Sequence, residues 1–118
     1  MNKLFRGGSN MDDTLQKVMD AAYDCLQACN NCYDACLQED DIDMMRECIR
    51  TDRECAEMCL NVLSYAGRSG VVLTDLISLC EKACQTCGNE CARHDHDHCQ
   101  RCAKACFACA DACRLYVA

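Results

Sequence analysis

Sixteen cysteines constrain this 118-residue chain more than any other feature, because of how they are spaced. They are Cys25, Cys29, Cys32, Cys36, Cys48, Cys55, Cys59, Cys80, Cys84, Cys87, Cys91, Cys99, Cys102, Cys106, Cys109 and Cys113. Of the fifteen gaps between neighbours, twelve are 3, 4 or 7 residues, the separations that stack side chains on one face of an α-helix. The other three, 12, 21 and 8 residues, are long enough to contain turns. The pattern predicts four helices, each carrying a stripe of thiols, turned toward one interior.

Composition agrees with long helices: there is no proline and there are only five glycines. Residues 1–10, with Gly7-Gly8-Ser9, read as a flexible tail and residues 11–118 as one domain. The first helix is expected from Met11 to Gln38 with Asn10 as its N-cap, and the second from Asp43 to Ala66, closed by Gly67 in the left-handed region. The third is expected from Val72 to Arg93. The fourth runs from His98 to Tyr116, with Asp97 as N-cap and Gln100 as its capping-box partner. Short connections force neighbours to run antiparallel, so the fold class is all-α, an up-down-up-down four-helix bundle with a cysteine-lined core. That topology gathers Leu15, Val18, Ala22, Val62, Leu73, Leu76 and Ile77 at one end as an apolar plug. It gathers Cys36, Met44, Met45, Cys48, Cys91, Cys99 and the run His94-Asp95-His96-Asp97-His98 at the other, as a mouth.

A formal charge of −7 with scattered lysines and arginines argues against a nucleic-acid partner, which needs a clustered basic surface. MNKLFRGGSN holds no apolar run of signal-peptide length and no segment approaches a membrane span, so the expected compartment is the cytoplasm, without membrane attachment. In a reducing compartment many cysteines mean metal or catalysis rather than disulfides.

Three blander readings compete. Cysteine is a small buried hydrophobe, but a seam built almost wholly of it is expected to leave voids between helices ~8–10 Å apart. Cross-helix disulfides remain geometrically open, although bridges within one helix would close loops too short to stabilise much. Catalysis would need a Cys–His pair standing apart from the ladder, and none does, so the chain reads as a non-enzyme.

Thiolate selects Cu(I), Zn(II) or iron–sulfur clusters. The chain lacks the loop-borne C-x2-C-x2-C-x3-C-P run of iron–sulfur proteins. Zinc stays open through four C-x2-C pairs, as a zinc or mixed soft-metal buffer of metallothionein type. Seven C-x3-C pairs nevertheless join these into unbroken ladders, which suit two-coordinate Cu(I) with each thiolate bridging two ions. Capacity then approaches one ion per cysteine, on the order of sixteen, which means storage or buffering.

The segment from Glu90 to Cys113, ECARHDHDHCQRCAKACFACADAC, with DRECA at Asp52 to Ala56, resembles the cytosolic branch of the bacterial copper storage proteins. The likeness runs from about Met19 to Val117. It implies a cysteine-lined four-helix bundle holding many Cu(I) ions, cytosolic and assembled as a homo-tetramer, with copper as partner. At the mouth, His94 continues the third helix's stripe and His96 precedes Cys99 by three, so both are candidate ligands, with His98 a third. Thioether is also soft, and Met44 or Met45, taken as Met45, is expected to face the mouth. Asp52 breaks the second helix's ladder: a ligand, an acid orienting a histidine, or a carboxylate paired with an arginine across the interface.

Overall fold

The computed structural model describes residues 10–68 and 71–118, with the side chains of residues 10–12 left aside. The tail through residue 9, the Met11 side chain and Ser69-Gly70 lie outside the described residues. Four helices follow in chain order: α1 (Asn10–Cys36), α2 (Ile42–Tyr65), α3 (Val72–Cys91) and α4 (Asp97–Val117). Among the described residues there is no strand, and no helix is long and apolar enough to cross a membrane. The backbone of each helix lies against its two neighbours, α1 against α2 and α4 and α3 against α2 and α4, while across the diagonal only side chains meet, as Cys25 does Cys84 at 3.9 Å. This is the square, antiparallel bundle expected from short connections, drawn out to 51 × 23 × 22 Å.

The apolar plug forms as the pattern requires. Val18, Ala22, Val62 and Ile77 are fully buried, Leu73 nearly so, and Leu15 and Leu76 pack against them. Buried Ala56, Ala103 and Ala110 keep side-chain bulk low along the seam.

The helix ends differ from expectation. Asn10 already belongs to α1, and α1 stops at Cys36, with Leu37 to Asp40 forming the turn. Asp41 caps α2, its carboxylate accepting from the Met44 amide at 3.2 Å. At the far end of α2, Ala66 stays right-handed and Gly67 does not enter the left-handed region, because the chain tightens into a turn, Arg68 N–H bonding Tyr65 C=O at 3.1 Å. Asp97 is the first residue of α4 rather than its cap, which falls to His96 in extended conformation. The capping box is absent: the Gln100 amide instead donates to the carbonyls of His94 at 2.6 Å and Ala92 at 3.3 Å. It thereby satisfies acceptors left over at the end of α3, which compete for the same side chain.

Candidate metal centre

All sixteen cysteines are free and fully buried. Spacing of four within one helix sets the vertical contacts: Cys25–Cys29 3.9 Å, Cys32–Cys36 3.7 Å, and Cys80–Cys84, Cys87–Cys91 and Cys102–Cys106 each 3.8 Å between sulfurs. Helix packing sets the horizontal ones: Cys25–Cys55 and Cys55–Cys84 at 3.5 Å, Cys25–Cys106 and Cys29–Cys102 at 3.7 Å, and Cys48–Cys91 at 3.4 Å. The expected voids are therefore not found along the seam; the helices come close enough for sulfur to meet sulfur. Four-sulfur groups whose atoms lie within 4.8 Å of one another share members, Cys25 and Cys55 with Cys59 and Cys84 in one, with Cys29 and Cys106 in another. Cys59, Cys80, Cys84 and Cys109 form a third toward the plug. Because neighbouring groups share sulfurs, the seam is a continuous lattice rather than a set of separate tetrahedral sites.

Asp52 fills the step that the α2 ladder skips. It is fully buried, and its partners are neither arginine nor histidine but thiols. Oδ1 accepts from Cys87 and Cys102 at 3.3 Å and from Cys91 at 3.5 Å, while Cys48 reaches Oδ2 at 4.0 Å. Burial pushes its pKa far above the carboxylate range, so the folded protein holds Asp52 neutral at pH 7.

At the mouth the order of the histidines changes. His98 is the ring that meets the thiols: its Nδ1 lies 3.5 Å from the sulfurs of Cys32 and Cys99 and 3.9 Å from Cys36. These four form one potential ligand group. His94 turns aside to Glu90 at 2.9 Å, and His96 is half-buried with its Nε2 3.3 Å from Glu39. Met45 is buried in the core beside the cysteines, whereas Met44 is exposed and lines an outer groove of about 400 Å³ with Asp43, Glu90 and His94. Burial opposes charge on His98, but the Cys32 sulfur and the Glu39 carboxylate outweigh it and raise its pKa. Glu39 moves the other way, lowered chiefly by its hydrogen bond from His98. Burial pushes the Cys36 and Cys99 thiols up.

Glu39 is the residue that sequence reasoning passed over, as part of an acidic turn. The available signal was its position three residues beyond Cys36, which continues the α1 stripe.

A bundle whose interior is one lattice of free thiols, with an imidazole at its end, defines a protein that holds several soft metal ions. The family described as copper storage protein matches residues 11–118, and the chain belongs to that family. It is 42% identical over 108 residues to the uncharacterized cysteine-rich protein YhjQ of Bacillus subtilis (strain 168), covering 92% of this chain and 100% of that one. Among solved structures it is similar to the Cu(I)-bound copper storage protein BsCsp3, with TM-score 0.85, 42% identity, and coverage of 89% of this chain and 99% of that one. It is also similar to the copper storage protein Ccsp of Streptomyces lividans loaded with 10 copper equivalents, with TM-score 0.90, 33% identity, and coverage of 99% and 92%.

Proposed function

We propose that this chain is a cytosolic, high-capacity store and buffer of Cu(I), in which the sixteen cysteine thiolates of the bundle of residues 11–118 are the ligands. The overlap of its four-sulfur groups carries the reading, since shared sulfurs suit ions that thiolates bridge. His98 joins Cys32, Cys36 and Cys99 as the outermost ligand, with His96 and His94 on the approach and Met45 as a further donor inside, while Asp52 sits among the ligands as a neutral carboxyl bonded to thiols. Holding ions by displacing thiol protons is a binding equilibrium, not turnover, so the protein acts as a reservoir rather than an enzyme.

Assembly as a homo-tetramer accompanies this reading. Leu37, Ile42 and half-buried Ile49 line an outer groove of about 490 Å³ with Arg46, Glu47 and Arg50, a mixed surface of the kind a second copy covers. Similarity to a cytosolic protein of Streptomyces lividans supports the compartment.

Anaerobic titration of the reduced protein with Cu(I) against a competing chelator tests the proposal. Saturation at more than about eight ions supports bridged storage; saturation at one to four, or stronger retention of Zn(II), turns the reading to a zinc or mixed-metal buffer.

A further inference from the structure

Glu39 lies in the α1–α2 turn, and all three histidines lie at the α3–α4 turn, so any bond between them ties the two turns that frame the mouth. Its carboxylate reaches two of the rings at once, one by a hydrogen bond and one at ion-pair distance. Oε2 is 2.8 Å from Nε2 of His98 and Oε1 is 3.3 Å from Nε2 of His96. The two rings sit side by side, their centroids 5.3 Å apart and their planes 34° apart.

We propose that Glu39 is the positioning residue of copper uptake: by accepting Nε2–H from His98 and holding its other oxygen against Nε2 of His96, it leaves Nδ1 of each ring as the nitrogen that meets the ion. The inference rests on the storage reading for its cargo, but its geometry stands in the metal-free protein.

The argument is one of lone pairs. A carboxylate oxygen only accepts, so a bare Nε2 held against it at the His98 distance would set two lone pairs against each other. Nε2 therefore keeps its proton whether the ring is neutral or charged, and any exchange with an ion falls on Nδ1. For His98 that atom already faces three sulfurs, those of Cys32, Cys36 and Cys99. For His96 it is buried and has no hydrogen-bond partner among the described residues, an acceptor or donor left idle where burial should make it costly. One carboxylate thus accounts for both features, an inner nitrogen set against the thiols and an outer one kept free. Glu39 itself is a poor ligand for a soft ion, since its oxygens are hard and already engaged. Its part is that of the carboxylate behind a ligating imidazole, which fixes tautomer and ring orientation. His94 stands outside this arrangement with a carboxylate of its own, Glu90.

The full-length reduced protein, metal-free and labelled with ¹⁵N histidine, tests this by long-range ¹⁵N–¹H correlation spectra, which report the protonated nitrogen of each ring. Stopped-flow transfer of Cu(I) from a chelator complex then gives the rate of the first uptake step in wild type, Glu39→Ala and Glu39→Gln. The expected result is an Nε2–H on both rings of the wild type, loss of that preference at His98 in Glu39→Ala, and first-ion uptake about 10- to 100-fold slower. In Glu39→Gln the amide keeps one acceptor but presents N–H to the second ring, so one histidine retains its tautomer and the slowing is smaller. A wild-type His98 protonated on Nδ1 with a bare Nε2 overturns the proposal, without any variant having to fold. So does a Glu39→Ala uptake rate within about twofold of wild type in a protein with unchanged helical circular dichroism. Wild-type capacity measured on the same sample separates the two readings: saturation at one to four ions overturns storage, whereas the tautomer in the metal-free protein decides the role of Glu39.

Discussion

Replacing Asp52 by asparagine should make the metal-free protein more stable than wild type, by a margin that grows with pH. Asp52 is fully buried, and burial raises its pKa. In the unfolded chain its pKa is ~3.9, so between that value and the raised folded value the native state binds one proton more than the unfolded state. Stability supplied by a raised pKa is fully present below the unfolded value and is lost as pH rises, here at ~1.4 kcal/mol per pH unit. From about pH 5 to about pH 7 the wild type loses about 3 kcal/mol on this account, and asparagine, which has no proton to lose, loses none. The substitution also keeps the hydrogen bonds: the amide oxygen accepts from Cys87, Cys91 and Cys102, and the amide N–H₂ faces Cys48. Urea unfolding of both proteins at several pH values, anaerobic and with chelator present, measures the gap, and the shared thiols cancel in the difference. A gap that stays constant between these two pH values refutes the reasoning.

Ile77→Ala, at the fully buried plug, should cost about 2–5 kcal/mol in the metal-free protein, and Cu(I) loading should recover part of the lost thermal stability because the folded bundle, with its thiols already gathered, binds the ions more tightly than the unfolded chain does. Thermal unfolding with and without Cu(I) measures both. Asp41→Ala removes the acceptor of the Met44 amide and should destabilise by about 1 kcal/mol in urea unfolding. Acidifying the loaded protein should release copper as thiolates reprotonate, read as transfer to a chelator of known pH response.

The cysteine register was legible because a period of three and four residues is a property of the helix itself, and so were the plug and the pairing of neighbouring helices. Helix ends were less so: Gln100 and Gly67 follow spacing rules for caps, but competing carbonyls and a tightened turn took their places. The bond from Glu39 to His98 joins residues 59 apart in the chain, and no local period reports it. Asp52 was readable as an inward step of the ladder. Its neutrality was not, since that depends on three other helices closing over it.

The sulfur spacing bears on which metal the seam is built for, and it cuts against a simple reading. With a metal–thiolate bond of ~2.3 Å, two sulfurs of a tetrahedral site lie ~3.8 Å apart, whereas a linear pair lies ~4.6 Å apart. The contacts in the seam, 3.4 Å for Cys48–Cys91 to 3.9 Å for Cys25–Cys29, match the first and fall short of the second. Without metal, however, these are thiols touching through a shared proton, so the spacing records packing rather than coordination. What separates the metals is the response to loading. Two-coordinate Cu(I) must push each sulfur pair it joins apart by ~0.7 Å or more, spread over side-chain rotation and helix displacement, while tetrahedral Zn(II) can enter with the helices nearly in place. The alanines at the seam make outward sliding cheap, and the plug, where Val18, Val62 and Ile77 interlock, resists it. Loading with Cu(I) should therefore open the bundle more toward the mouth than toward the plug. A comparison of loaded and metal-free crystal structures of this chain that finds the Cys48–Cys91 and Cys32–Cys99 separations unchanged with Cu(I) bound between them sinks the two-coordinate argument.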